Sequence, residues 1–442
     1  MNRPVAALAI VANRFECGGE RFDELLASAK RLFADGGIGL LEPPAMIWNL
    51  ADAVKTCAHF QSKEPDLLVL IHASWVQDSV QYVFTNTLKL PTVLLAVPFL
   101  ETFSLACVQH YSAQLNRRGI PYLSLCTDLQ KVEHKDKIRT FAQAAHITKR
   151  LKKTNCGMIG NRQTWRISAA QDMTGEEWDF SEVFGATIVH IDTEELLSLA
   201  GQQNQGAVSA VSERVKSLGL VNMLDDGRLD FCSSVYLAIK VLKDRYDLAF
   251  IAAQCYPKDG GIANLASALL ADENFVLDTE GDIGHAALLY MCSLIDEKPS
   301  CLSEVGAVLD EGYFYLEHEG SAALSLAENA RTATLRDCGD GSMLGFTLKP
   351  KMEATMLSMG ETDRGFMITA MKGNTVEVSK NDWDSLNGRF LGAFRPLNLS
   401  AGKAHEEMLL KGVDHHFVLK PGVHGEVFSY LCQLLGLEYF SL

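Results

Sequence analysis

Two acidic residues and a pair of adjacent histidines in the last third of the chain have the types and spacing to hold a metal ion. Glu280 ends the segment Val-Leu-Asp-Thr-Glu, and Glu304 follows the loop after the next apolar helical tract, so two consecutive strand ends would bring the carboxylates together. Close like charges repel unless they share a proton or a cation, and a divalent ion would account for such a convergence. His415 and His416 open a late apolar strand. Alternation sends neighbouring strand side chains to opposite faces, so one of the two is expected to enter a given site while the other supports packing. Carboxylate oxygens joined by one imidazole suit Mn2+ or Mg2+ better than thiophilic zinc. Plainer readings stand beside these. Glu280 and Asp282 precede a helical run, where an acid caps the first turn. His318, between Glu317 and Glu319, is either a substrate or metal contact or a surface histidine flanked by acids.

A second group lies near the middle of the chain. In the turn Gly160 to Trp165, Gly160 would let the backbone approach a ligand, Arg162 could hold a hydroxyl or carboxylate, and Trp165 could form a wall. The alternative is a tight loop with an exposed arginine and a half-buried tryptophan. His72 and Glu101 fall at the carboxyl ends of apolar strands, the edge where parallel sheets gather ligands, although a histidine there is also a common hydrogen-bonded rim residue. His424 starts the last helix as a cap or as part of a pocket wall. The glycine spacing of a dinucleotide fingerprint is missing, as are a phosphate-binding loop and a nucleophile elbow.

The elements that must position these residues can be read from periodicity. Continuous apolar runs start at Val5, Leu67 and Thr92, with a shorter one at Tyr122, and amphipathic helical patterns separate them. Strands buried on both faces read this way, so a parallel sheet covered by helices is expected. After the charged helix that ends near Lys153, the same grammar resumes with runs around Asn155, Ala186 and Leu248. From about residue 335 the pattern shifts to period-two stretches separated by glycine-bearing turns, as in a small antiparallel barrel or sandwich. The fold class is α/β: two tandem parallel-sheet domains, 1–153 and 154–334, followed by a β-rich, barrel-like C-terminal domain, 335–442, that ends in a helix.

Composition narrows the function classes. A chain of 442 residues with a formal charge of −15 and no basic tract is not built to bind nucleic acid. Its 11 cysteines include no C-x-x-C pair, which points to reduced thiols and a cytoplasmic location. The apolar start of the chain runs into Asn13, Arg14 and Glu16, so it reads as a first buried strand rather than a leader, and no run is long enough to cross a bilayer.

With these residues in place, the chain resembles the L-fucose/L-arabinose isomerase superfamily, as a divergent fucose isomerase-like member. The resemblance rests on the Cys-Tyr-Pro loop at Cys255, the segment Thr279 to Leu288 around Glu280, the acid Glu304, the His-Glu-Gly at His318, the turn from Lys349 to Thr355, and the paired His415 and His416. It implies a metal-dependent aldose–ketose isomerase, an intramolecular oxidoreductase acting on a small sugar through an enediolate. Glu280, Glu304 and His416 would be the ligands to Mn2+ or Mg2+, the two glutamates the catalytic acids and bases, and Arg162, Trp165, His318 and His415 the sugar contacts. A homo-oligomer is implied as well. Two departures bear on this: Glu304 stands where the fucose branch has aspartate, and Glu-His-Glu-Gly replaces Trp-His-Cys-Gly around His318. The alternatives are a sugar-binding or regulatory relative that does not isomerise, or an enzyme acting on sugar carbon–carbon bonds.

Overall fold

The strand Val5–Val11 has no polar face, and its side chains show why. Ala6, Leu8 and Ile10 pack with Leu25, Leu32 and Phe33 of helix Phe22–Asp35 and with Ile138 and Phe141 of helix Val132–Leu151. Ala7, Ala9 and Val11 meet Phe60 of helix Leu50–Gln61, Phe84 of helix Asp78–Leu88 and Tyr111 of helix Ser104–Arg117 on the other side. A strand enclosed on both faces belongs in a helix-covered parallel sheet. That sheet has five strands in the order Gly39–Leu41, Val5–Val11, Leu67–His72, Thr92–Ala96 and Tyr122–Cys126, all parallel. Full burial of each large apolar side chain contributes about 1.5–3 kcal/mol, so two cores of this size hold the sheet from both sides.

The computed structural model describes residues 3–129, 132–160, 177–254, 260–309, 312–318 and 322–442. They fall into two compact units. One comprises Met1–Arg150 with Ser429–Gly436 and contains the five-stranded sheet; the other comprises Leu151–Phe428 with Leu437–Leu442.

The second unit holds a four-stranded parallel sheet ordered Val276–Asp278, Leu248–Ala253, Asn155–Ile159 and Thr187–Ile191. Helix Ile283–Ser293 packs on it and is buried around most of its circumference, as its nearly uniform apolar sequence requires. A larger sheet follows. Its antiparallel pairing runs from Glu353–Thr362 to His416–Pro421, Cys301–Leu309, Tyr313–His318, Phe390–Pro396 and Gly365–Thr375, then returns to Glu353–Thr362. The pairing is therefore ring-like, and Glu438–Ser441 joins in parallel at Gly365–Thr375. The architecture is α/β, with parallel sheets and a C-terminal sheet of this kind. Among the described residues no helix is long and apolar enough to cross a membrane.

Candidate metal centre

Strand register assembles the candidate site. Glu304 lies directly opposite His416 on one neighbouring strand and opposite Glu317 on the other. Directly opposed residues are close enough to interact, and the Glu304 Oε1 to His416 Nε2 distance is 3.7 Å. His415 precedes the strand rather than belonging to it. Asp414 accepts its backbone N–H at 2.6 Å and its Nδ1–H at 2.8 Å, which turns the ring so that Nε2 lies 3.6 Å from the same Glu304 oxygen. The two imidazoles stack at 4.1 Å between centroids with 30° between planes. The expected division of the pair between opposite faces is thus corrected: strand alternation does not govern a residue held by a turn carboxylate. Glu304, His415 and His416 form one cluster with the geometry to hold a divalent cation.

A second cluster, Asp282, His285 and His416, is fully buried. It forms where strand Val276–Asp278 gives way to helix Ile283–Ser293. Asp278 Oδ2 accepts the N–H groups of Glu280 and Asp282 at 3.1 and 3.0 Å, and Gly281 makes the bend at φ +72°. Asp282 caps the helix through the His285 N–H, as its place before an apolar run suggests. It also accepts the Nδ1–H of His416 at 2.7 Å and that of His285 at 2.8 Å. Burial works to raise the Asp282 pKa, but His285 and His416 outweigh it and hold this carboxyl far below the usual range. Asp278 shows the converse: burial, helped by the Asp282 charge, pushes it up to about 8.

Glu280 joins neither cluster. Its Oε1 lies 3.4 Å from Nε2 of His318, whose ring centroid is 6.4 Å from that of His416. Burial and then the neighbouring His416 and His415 push His318 down to about 3, so its imidazole is neutral near pH 7. Of the residues singled out in the sequence, then, Glu304, His415 and His416 come together, and Glu280 and His318 pair beside them. Arg162, Trp165 and the Cys255 to Pro257 loop lie outside the described residues. His72 is buried against Gln81 at 2.8 Å, Glu101 pairs with Arg21 at 3.0 Å, and the His424 Nε2–H donates to the Pro421 carbonyl at 2.9 Å; all three positions serve local structure. Sequence reasoning missed Asp414 and His285, and gave Asp282 only its capping role. The spacing Asp-His-His at 414 to 416, and an aspartate three residues ahead of a histidine at a helix start, were the available signals.

A cavity of about 350 Å³ opens beside the first cluster. Glu304, Glu317, Asp414, His405 and His415 give its wall polar atoms, while Val305, Met408 and Phe417 make the rest apolar. This lies within the ~300–1,000 Å³ of small-molecule sites, and the mixed lining suits a molecule with both hydroxyls and C–H faces.

No family model matches this chain, and no curated protein matches it. Among solved structures, it is similar to an ABC-transporter solute-binding protein from Burkholderia multivorans whose unknown ligand was built as alpha-D-erythrofuranose. That match has 12% identity, covers 68% of this chain and 95% of the other, and has a TM-score of 0.20. A solute-binding protein from Agrobacterium vitis bound with alpha-D-tagatopyranose matches at 11% identity over 66% and 89% of the two chains, with a TM-score of 0.19. A protein from Mycobacterium smegmatis matches at 13% identity over 62% and 78%, with a TM-score of 0.15. The named neighbours are solute-binding proteins and not isomerases, and the resemblance to the L-fucose/L-arabinose isomerase superfamily is corrected accordingly. The assignments as an aldose–ketose isomerase and an intramolecular oxidoreductase fall with it. Superpositions at these TM-scores do not define the fold, which rests on the strand pairing described above.

Proposed function

We propose that this chain is a carbohydrate-binding protein that leaves its ligand chemically unchanged and uses a divalent cation to hold it. One observation carries the reading. Two adjacent imidazoles, each anchored at Nδ1 by an aspartate, turn Nε2 toward a single carboxylate at the wall of a cavity sized for a small molecule. Glu304, His415 and His416 would be the protein ligands, leaving coordination positions for two ligand hydroxyls. A set that mixes carboxylate with imidazole suits Mn2+ better than Mg2+, which favours oxygen alone. Glu317 and His405, on the cavity wall, would make hydrogen bonds to the remaining hydroxyls. Free thiols at all ten described cysteines support a reducing, cytoplasmic location.

The test is a binding panel of small aldoses, ketoses and polyols on chelator-treated protein with and without added Mn2+. Retention of a sugar only with Mn2+, its recovery unchanged by NMR, and loss of Mn2+ binding in Glu304→Ala and His416→Ala are the expected results. Sugar binding indifferent to chelator would remove the cation from the reading. Conversion of the bound sugar would overturn the non-catalytic assignment.

A further inference from the structure

Two clusters share His416, and their hydrogen bonds decide what each can do. In the buried one, the Met359 main-chain N–H points at His285 Nε2 at 3.2 Å. A main-chain N–H can only donate, so Nε2 must keep its lone pair and the His285 proton must sit on Nδ1. That proton goes to Asp282 Oδ2 at 2.8 Å, and the same oxygen takes a second imidazole hydrogen from His416 Nδ1 at 2.7 Å. The other carboxylate oxygen accepts the His285 backbone N–H at 3.0 Å. An ionised carboxylate has no hydrogen to give, so three donors converging on Asp282 fix where both ring protons lie. Both nitrogens of His285 are committed, one to Asp282 and one to the backbone of strand Glu353–Thr362.

We infer that Asp282 and His285 are positioning residues that lock His416 in its Nδ1–H tautomer, leaving the Nε2 lone pair facing Glu304 and His415. The buried cluster is therefore the anchor of the open one and does not hold a cation itself. A carboxylate on the far nitrogen of a ligating imidazole fixes its orientation and raises its basicity, and removing such a partner lowers metal affinity about 10–100-fold. His285 takes part because it gives Asp282 a second N–H donor and ties the aspartate, through Met359, to a strand of the larger sheet. The consequence for affinity rests on the cation-dependent reading above; the tautomer does not.

Histidine-selective 15N labelling of the full chain in EDTA reads the tautomers with no cation present, and the signals are assigned by their loss in His285→Gln and His416→Gln. Nδ1–H on both rings is expected. An Nε2–H proton on His416 in the wild-type chain would overturn the inference. Asp282→Asn is expected to move His416 off the pure Nδ1–H form and to weaken Mn2+ binding by about 10–100-fold. His285→Gln, whose amide can donate to Asp282 and accept from Met359, should keep both readouts close to wild type, whereas His285→Leu should not. Unchanged tautomer and affinity in Asp282→Asn would sink the positioning role. Nδ1–H tautomers on a chain that binds no Mn2+ would support it while removing the proposed function.

Discussion

At the scale of single residues, burial decides which ionisable groups the fold tolerates charged. His72 ends strand Leu67–His72, fully enclosed, with its Nε2 against the Gln81 side-chain oxygen at 2.8 Å. Burial pushes its pKa down to about 4 against the hydrogen bond its Nε2–H donates to Gln81, which works the other way. Unfolding exposes an ordinary histidine titrating near 6.5, so between those values the unfolded chain binds more protons and stability falls as pH drops through the window. The largest loss from this residue is about 3 kcal/mol by pH 4, at ~1.4 kcal/mol per unit. Urea midpoints at pH 7 and pH 4.5 should therefore separate further in the wild type than in His72→Gln, which keeps a donor toward Gln81 and has nothing to titrate. Equal separations would place the acid sensitivity elsewhere. The sequence put His72 at the ligand-gathering edge of a parallel sheet or in a structural role, and only burial could choose between them. His318 illustrates the same limit. A histidine between two acids reads as either exposed or functional, while the structure buries it against Glu280.

At the scale of elements, continuity and period were legible and strand partnering was not. The runs beginning at Val5, Leu67, Thr92 and Tyr122 are strands from those same residues; the first three are covered on both faces and so carry mostly apolar side chains, while Tyr122–Cys126 is a partly exposed edge strand. The period-two stretches past residue 335 became Glu353–Thr362, Gly365–Thr375 and Phe390–Pro396. The ring also takes in Cys301–Leu309 and Tyr313–His318, and no pattern within a strand tells which other strand it will meet. Helix Ala401–Lys411, capped by Ser400 and ended by Gly412 at φ +71°, delivers Asp414 to its histidines; this short helix was hidden among the strands around it. The ring-like pairing is narrowest where Gly373–Thr375 meets Phe394–Pro396 through three residue pairs. A Cβ at Gly373 would stand 2.3 Å from Phe394 Cζ and 2.4 Å from the Arg395 carbonyl oxygen. Gly373→Ala is accordingly expected to cost about 2–3 kcal/mol, since a backbone oxygen cannot step aside as a flexible side chain can. Gly402→Ala, in helix Ala401–Lys411 with open space around it, should be neutral or gain up to about 1 kcal/mol. Thermal unfolding of the two variants checks the contrast, and equal melting temperatures would mean that the ring does not depend on this contact.

At the scale of the whole molecule, the chain order and the compact units do not coincide. Ser429–Gly436 belongs with the N-terminal unit, although the chain on either side of it belongs with the other. Tyr430 supplies part of the reason. Its ring meets Phe141 edge to face at 5.4 Å, and Tyr430 and Leu434 pack against the core that holds Leu8, Ile10 and Phe33. Apolar spacing along the final helix shows that it is amphipathic but not which core receives it, so this return was invisible until the fold was in hand. It has a consequence for dissection: a fragment cut at residue 150 would lose a covering that its own sequence cannot replace. Tyr430→Ala in the full chain should lower the stability of the N-terminal unit by about 1–2 kcal/mol, from lost apolar contact and the aromatic pair. Hydrogen exchange followed by mass spectrometry separates the units. Faster exchange is expected in Leu67–His72 and Thr92–Ala96, with Glu353–Thr362 unchanged. Acceleration confined to the larger sheet, or none anywhere, would show that Ser429–Gly436 is not part of what stabilises the first unit.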